Sequence, residues 1–328
     1  MRTAALCAVA LLPITLLQPT ERHEPGSDGT PHANFDPGRA SFSLRFNKET
    51  TPYRVMATFV LPNEAVTLEA LATAAGRNYQ LDAPRGTLKA LPGGRWSFLP
   101  PSTPGLYPVT VRQREPADSI RLNVFVMVPF SELENEHLNG YLIGSYPPRP
   151  LNGMAIYNPP RGFIEVTREN RETPIAPHFR LSQFLCKQES GWPKYIVLQE
   201  RLLLKLELIL AALNESGYQA SSLAIMSGYR TPFYNRAIGN VQYSRHVWGG
   251  ASDIYVDESP RDGVMDDLNG DGRIDTRDAG VIYDLIDGMH GQSWYASFVG
   301  GLGRYRKTSN HGPFVHVDVR GFRARWGA

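Results

Sequence analysis

Short runs of alternating apolar and polar residues fill the first part of the chain beyond residue 40. The runs are rich in β-branched and aromatic side chains and are separated by turn-forming residues, which is the pattern of strands in a β-sandwich. The predicted strands cover residues 41–46, 55–60, 96–98, 106–111 and 120–128. Together they predict an all-β, Ig-like sandwich domain over residues 40–130, with one short helix at 65–75 within or between the strands.

The apolar pattern changes to helical spacing later in the chain. Between 197 and 216, leucine and isoleucine recur every three or four residues, and Gly217 follows as a helix C-cap. The stripe consists of Leu202, Leu203, Leu206, Ile209, Leu210 and Leu213. Two further apolar runs, at 223–226 and 314–319, predict strands. Residues 176–328 are therefore expected to form an α+β domain with a buried core helix.

The stretch between these two regions, 131–175, contains too many prolines for a long regular element and predicts an irregular connector. A chain of 328 residues is long enough for two domains. Its 34 Lys and Arg residues against 32 Asp and Glu residues give a formal net charge of +2. That charge is too small to indicate a nucleic-acid partner.

The N-terminal segment, residues 1–20, begins with Arg2 and continues as an apolar run, which is typical of a secretory signal peptide or an uncleaved membrane anchor. Residues 21–39 are rich in Pro, Gly, His and Asp and predict a flexible linker. Cys7 lies in the apolar run, so only Cys186 remains in the mature chain and no intramolecular disulfide can form. A periplasmic or secreted protein is expected, with a possible membrane tether through this segment.

A candidate zinc site follows from the spacing of two histidines and an aspartate. Six residues separate His246 from Asp253 in a predicted turn-to-strand segment, and His316 lies on a later predicted strand. Two nitrogens and one oxygen would leave the fourth tetrahedral position free, which is the arrangement of a catalytic rather than a structural zinc ion. Asp318 lies two residues after His316 and should point to the same face of that strand.

The surrounding motifs strengthen this interpretation. The chain contains S-G-Y-R-T-P at 227–232, then S-x-H-x-x-G-x-A-x-D-I from Ser244, then V-H-V-D at 315–318. In this order, over roughly residues 175–328, they resemble the peptidase M15 family of zinc D-Ala-D-Ala carboxypeptidases and murein endopeptidases. The resemblance implies an α+β peptidase domain.

The same resemblance assigns roles to individual residues. It implies zinc ligation by His246, Asp253 and His316. It also implies that Arg230 contacts a substrate carboxylate or carbonyl, and that Ser244 and Tyr229 lie in the substrate site. Arg230 has an alternative role as a structural salt-bridge partner.

The general base is not assigned by the resemblance. Many family members have Glu or Asp three residues before the last histidine, and here that residue is Pro313. Asp318 and His311 are therefore the candidates for proton transfer or oxyanion stabilisation. Asp318 has a second possible role, which is to orient His316.

A second metal site is predicted between the zinc motifs. Residues 267–278 match the twelve-position calcium loop, with Gly272 at the sharp turn and an exit helix expected at 279–289. The six ligand positions are Asp267, Asn269, Asp271, Arg273 through its backbone carbonyl, Asp275 and Asp278. Aspartate instead of glutamate at the twelfth position resembles the dockerin-type loop. We expect structural calcium that braces the active-site wall.

These observations predict a zinc metallopeptidase that hydrolyses amide bonds in peptidoglycan, as a D-Ala carboxypeptidase or a murein endopeptidase. The sequence does not choose between these activities, or between DD and LD bonds. One alternative is a catalytically inactive wall-binding or scaffolding protein with a peptidase-like fold. Another is a zinc peptidase that acts on soluble D-Ala dipeptides or on proteins.

Overall fold

A computed structural model describes residues 35–71 and 78–327 of the chain. These residues belong to one compact unit that spans 33–328. The predicted signal segment and most of the predicted linker lie outside the described residues. Within the described ranges, none of the helices has the length and apolarity needed to cross a membrane.

Nine strands form two sheets in the first part of the described chain. The strands are β1 (Arg39–Phe46), β2 (Glu49–Tyr53), β3 (Val55–Val60), β4 (Val66–Leu71), β5 (Tyr79–Asp82), β6 (Thr87–Leu91), β7 (Arg95–Leu99), β8 (Gly105–Gln113) and β9 (Asp118–Val126). One sheet has the order β2-β1-β4-β7-β6 and the other β3-β9-β8-β5, in which β3 and β9 run parallel. The five predicted strand regions are confirmed, whereas the Ig-like assignment stays a prediction.

The helix predicted at 65–75 is wrong where the structure describes it. Residues 66–71 form β4, which pairs with β1 and β7 in the middle of the first sheet. Val66 and Leu68 are fully buried and alternate with the exposed Thr67, which is the period of a strand with one face on the core. Residues 72–75 lie outside the described residues.

The predicted connector at 131–175 and the residues that flank it contain only short strands in the structure. They are β10 (Val128–Pro129), β11 (His137–Leu138), β12 (Tyr141–Leu142), β13 (Gly162–Val166), β14 (Pro174–Ala176), β15 (Phe179–Arg180) and β16 (Lys194–Ile196). The longest has five residues. The absence of any long regular element from this stretch agrees with its proline content.

The remaining elements build one sheet with helices on its buried face. They are α1 (Glu200–Glu215), β17 (Ala224–Ser227), α2 (Pro232–Ala237), β18 (Ala251–Tyr255), α3 (Thr276–Gly288), β19 (Gly301–Tyr305), β20 (Phe314–Asp318) and β21 (Ala324–Gly327). The sheet order is β17-β18-β20-β19-β21. Ile254, Val315 and Val317 are fully buried and share one core with the apolar stripe of α1. Asp253 and His316 project from the opposite face, because side chains alternate along a strand.

The sandwich and the helix-sheet region share a continuous core. Buried residues of both regions belong to one hydrophobic cluster. At their junction Glu200, the first residue of α1, accepts hydrogen bonds from the Thr58 hydroxyl at 2.9 Å and the Phe59 backbone N–H at 3.1 Å. Arg201 donates to Glu49 of β2 at 2.8 Å. Strand β3 is therefore fixed directly against α1.

Candidate metal centre and adjoining cleft

Two elements bring the zinc-motif residues together. His246 lies in a single 3₁₀ turn at Arg245–Trp248, which Gly249 ends with a left-handed φ of 61°. A side chain at Gly249 would meet the Val197 carbonyl oxygen at 2.1 Å, so only glycine fits this exit into β18. Asp253 on β18 then lies directly opposite His316 on β20 in the antiparallel register.

Three ligand atoms converge at one point. His246 Nε2 lies 3.2 Å from Asp253 Oδ1 and 3.1 Å from His316 Nδ1, and the last pair, His316 Nδ1 and Asp253 Oδ1, is 2.9 Å apart. In a tetrahedral zinc site with bonds of about 2.0–2.1 Å, ligand atoms lie about 3.3 Å from one another. The observed triangle is close to one face of such a tetrahedron.

The hydrogen bonds on the outer ring nitrogens agree with a metal at this point. His246 Nδ1 donates to the Gly228 carbonyl at 2.7 Å, and His316 Nε2 lies 3.3 Å from Asp318 Oδ2. When His246 Nδ1 and His316 Nε2 are protonated, the other two ring nitrogens, His246 Nε2 and His316 Nδ1, carry lone pairs. Both lone pairs then lie beside Asp253 Oδ1. Such a cluster is suited to a bound cation. Among the described residues, His246, Asp253 and His316 are the group of histidine, cysteine and carboxylate side chains that could hold a metal ion.

Burial and the interactions among the three side chains determine the direction in which each pKa is shifted. Burial raises the pKa of Asp253, but the charges and hydrogen bonds of His246 and His316 outweigh it and hold the pKa well below its ordinary value. Burial lowers the pKa of His246. It also acts to lower the pKa of His316, but hydrogen bonds to Asp253 and Asp318 raise it overall. An ionised Asp253 and a neutral His246 are the forms that bind a metal.

Arg230 holds the second oxygen of the aspartate ligand. Its Nη2 donates to Asp253 Oδ2 at 2.5 Å, and its Nε donates to the Ser227 hydroxyl at 2.8 Å. Asp253 Oδ1 is thereby left to face the two histidines. Arg230 Nη1 makes no hydrogen bond to any described residue, so the salt bridge and a substrate contact are compatible roles. The contribution of Ser227 was missed in the sequence, although this serine begins the S-G-Y-R motif.

Asp318 is sealed behind His316. Its side chain is 0% exposed, and it accepts hydrogen bonds from the Gly301 backbone N–H at 2.8 Å and from Arg320 Nε at 2.9 Å. Because Asp318 contacts the edge of the His316 ring that points away from the metal position, this placement favours the orienting role over proton transfer to a substrate. Arg320 was not singled out in the sequence; its signal is its position two residues after Asp318.

The two residues predicted to bind substrate beside Arg230 lie in different surroundings. Tyr229 is 1% exposed, and its hydroxyl lies 3.0 Å from that of Tyr146. Burial raises the pKa of Tyr229 well above its ordinary value. This core position leaves no surface for a substrate, so the prediction for Tyr229 does not fit the structure. Ser244 is 8% exposed and begins the turn that carries His246.

Comparison with known proteins agrees with the peptidase motifs. The profile of the family described as Peptidase M15 matches residues 177–272, which include Arg230, His246 and Asp253. This match supports a peptidase. The M15 family is generally zinc-dependent, and the His-Asp-His group fits that metal. His316 lies beyond the matched segment.

The comparisons with curated proteins and with solved structures do not indicate a function. No curated protein matches the chain. Among solved structures, a nucleoside hydrolase-related hypothetical protein from Saccharophagus degradans, described as associated with carbohydrate metabolism, aligns at 12% identity and a TM-score of 0.22. The alignment covers 27% of this chain and 25% of that chain.

A cavity of about 250 Å³ is lined by residues of β17 and β18 and by the segment before β20. Tyr255, which lines it, lies two residues after Asp253 on β18, so both side chains project in the same direction. His311 also lines the cavity, and its ring packs edge-on against Phe314 at 5.0 Å between centroids. His311 is thus in the cleft, but it is not one of the groups gathered at the metal position. Its Nδ1 donates to the Gly312 carbonyl at 2.8 Å.

The predicted calcium loop has the expected turns but not converging carboxylates. Gly270 and Gly272 adopt left-handed φ values of 72° and 78°, and Asp267 accepts hydrogen bonds from several backbone N–H groups of the loop. Arg277 forms ion pairs with Asp271 at 2.6 Å and with Asp275 at 2.8 Å. Calcium binding through the six loop positions, Asp267, Asn269, Asp271, Arg273, Asp275 and Asp278, stays a prediction. The exit helix is present as α3, and it begins three residues earlier than predicted.

Proposed function

We propose that this protein is a zinc-dependent peptidase that hydrolyses amide bonds in peptidoglycan stem peptides or cross-links, outside the cytoplasm. The observation that carries the proposal is the convergence of His246 Nε2, His316 Nδ1 and Asp253 Oδ1 within 3.2 Å of one another. Histidine nitrogens and a carboxylate oxygen are typical ligands of catalytic zinc. The sequence motifs and the Peptidase M15 match support the same reaction class.

The chain's own residues divide the work of amide hydrolysis. His246, Asp253 and His316 would hold the metal, and a bound zinc ion supplies a Lewis acid that polarises a carbonyl and lowers the pKa of water. Arg230 Nη1 can donate to the carbonyl oxygen as negative charge develops there. His311 lines the cleft and is the better candidate for proton transfer, because Asp318 is enclosed by Arg320 and Gly301.

The peptidoglycan assignment rests on the motif resemblance and on the apolar N-terminal segment. Such a segment is typical of export, and the cell wall lies on the exported side. The choice between carboxypeptidase and endopeptidase activity depends on how much substrate the cleft accommodates beyond the scissile bond, so products must decide it.

We also propose that the loop at 267–278 binds calcium. The twelve-position spacing and the two left-handed glycines support this proposal. Arg277 neutralises Asp271 and Asp275 when no calcium is bound. Calcium binding would then displace the Arg277 guanidinium, and the loop would stiffen the start of α3.

The test is digestion of purified peptidoglycan by the mature protein in zinc, with released muropeptides identified by mass spectrometry. His246→Ala is the control, because it removes one metal ligand. Loss of terminal D-Ala indicates a carboxypeptidase, and conversion of dimers to monomers indicates an endopeptidase. Identical product profiles for wild type and control would reject the peptidase. If the protein then still sedimented with the wall, the wall-binding alternative would replace it.

A further inference from the structure

The cavity that Tyr255 lines, two residues beyond Asp253 on β18, carries hydrogen-bond donors and positive charge. Lys187, Asn310 and His311 line it, together with apolar side chains that include Met226 and Met265. No aspartate or glutamate is among the described residues that line it. The chemistry of this surface therefore differs from that of an apolar specificity pocket.

The distance along β18 from Asp253 to the cavity matches the spacing between neighbouring residues of an extended substrate. Strands advance about 3.3 Å per residue, so Tyr255 lies about 7 Å along β18 from Asp253. An extended peptide whose scissile bond is at the metal would place a side chain from one or two residues away over this cavity. The ligand of the cavity should therefore be a substrate side chain rather than the reacting amide.

Three side chains of the lining have a donor to offer, whereas the Tyr255 hydroxyl donates to the Gly263 carbonyl at 3.0 Å. Lys187 is exposed, and its ammonium group has no ion-pair or hydrogen-bond partner among the described residues. The Asn310 side-chain oxygen accepts from the Ser309 hydroxyl at 3.3 Å, which leaves its NH₂ group available. His311 Nδ1 is used by the Gly312 carbonyl, which leaves Nε2.

Burial, together with the charges of Asp257 and Asp262, raises the pKa of Tyr255, so these two acidic side chains act on one part of the cavity lining. Asp257 accepts hydrogen bonds from the backbone N–H groups of Asp262 and Gly263, both at 3.0 Å. Asp262 accepts from the Val264 N–H at 2.9 Å. Both carboxylates accept hydrogen bonds from their own loop, and among the described residues neither forms an ion pair with Lys187.

We propose that this cavity binds a free carboxylate of a substrate residue one or two positions from the hydrolysed bond, with Lys187 as the specificity-determining residue. This inference rests on the proposed peptidase function and narrows its substrates to acidic peptides. In stem peptides a free carboxylate is present on diaminopimelate and on the glutamate joined through its side chain. Both present the same chemical group to Lys187 and Asn310.

The test compares soluble stem peptides that differ only in that carboxylate. One pair contains diaminopimelate or its amidated form, and the second pair contains the glutamate carboxylate free or amidated. A hydrogen bond to a charged group contributes enough free energy for about a tenfold effect. We expect kcat/KM to fall about tenfold when the recognised carboxylate is amidated, and the pair that responds identifies which carboxylate is bound.

The variants assign the effect to Lys187. Lys187→Gln should lose about tenfold in kcat/KM on the acidic peptide and almost nothing on its amidated partner. Lys187→Arg keeps the positive charge and should retain the higher kcat/KM on the acidic peptide than on its amidated partner. Lys89→Gln removes an equally exposed lysine from β6 of the sandwich and should leave both rates unchanged. Equal zinc content in all the variants shows that the metal centre is intact.

The outcomes separate this inference from the proposed function. Equal wild-type rates on both members of each pair, or an unchanged preference in Lys187→Gln, would overturn the carboxylate site and leave the peptidase standing. If no peptide is hydrolysed, calorimetric titration of the same peptides into the zinc-loaded protein decides the question. Weaker binding of the amidated form that depends on Lys187 would support the carboxylate site without turnover, and equal binding would reject it.

Discussion

The Asp318 carboxylate lies 3.3 Å from His316 Nε2, on the opposite edge of the ring from His246 and Asp253. A carboxylate in this position fixes the ring orientation and increases the basicity of the ligating nitrogen. Asp318→Asn should therefore weaken zinc binding about 10–100-fold. Competition with a chromophoric chelator measures the affinity. Unchanged zinc affinity with lost hydrolysis would instead make Asp318 a proton-transfer group.

Asp287→Asn is the matched control for that variant. Asp287 also pairs with two arginines, Arg323 and Arg325, but lies on α3 away from the metal ligands. Both variants should lower the melting temperature, because each leaves arginines without their partner. Only Asp318→Asn should change zinc affinity.

Arg230 is expected to act on the transition state through Nη1 and on Asp253 through Nη2. Arg230→Gln should lower kcat about 100-fold even when zinc is saturating, since removal of one preorganised donor costs that much. Ser227→Ala removes only the contact to Arg230 Nε and should have a much smaller effect. A rise in KM with unchanged kcat would show that Arg230 contributes only to substrate binding.

Glu200 makes stability at the junction of the sandwich and α1 depend on pH. Burial raises its pKa above the ordinary value of 4.5. For a group whose pKa is raised in the folded state, the stabilisation is present at low pH and is lost as pH rises through the folded pKa. Glu200→Gln keeps an acceptor for Thr58 and Phe59 and removes the ionisation.

The Gln variant should consequently melt at a higher temperature than wild type at about pH 8, and the difference should shrink towards about pH 5. Glu49→Gln, at the same junction, is the control, because Glu49 is partly exposed and pairs with Arg201. A constant difference between Glu200→Gln and wild type across this range would show that Glu200 does not titrate during unfolding.

Calcium should stabilise the wild type and not Asp271→Ala. At a hundredfold excess of calcium over Kd, ligand binding stabilises the folded state by about 2.7 kcal/mol, which differential scanning fluorimetry detects. Arg277→Gln should lower the melting temperature without calcium and increase calcium affinity, because the competing guanidinium is gone. Identical wild-type melting with and without calcium would reject the calcium loop.

Local patterns were sufficient for most elements and for the three residues that converge at the candidate metal position. Alternating or β-branched runs predicted the strands, including β3, which is buried on both faces. Helical spacing predicted α1 within three residues of its start. The segment at 66–71 was misassigned because its pairing with β1 and β7, which local composition does not reveal, decides its conformation. The spacing of His246 and Asp253 is itself local, and a single turn and strand place both.

Relationships between distant residues could not be predicted in the same way. Lys205 lies within the apolar stripe of α1, yet it is 1% exposed and donates to the Asp318 backbone carbonyl at 2.8 Å, and burial lowers its pKa to about 7. Arg320 behind His316 and Tyr229 inside the core depend likewise on how the sheet and the connector pack. A motif identifies such residues but not the direction in which their side chains point.

The shared core of the sandwich and the helix-sheet region has a consequence for how the protein could be divided. A cut between β9 and β10 would expose the apolar residues that β3 packs against α1, and would leave the Glu200 carboxylate without Thr58 and Phe59. The catalytic half should therefore not survive as a shorter enzyme. Calorimetry should show one cooperative unfolding transition for both regions, and exchange of the sandwich for an unrelated module should abolish soluble expression.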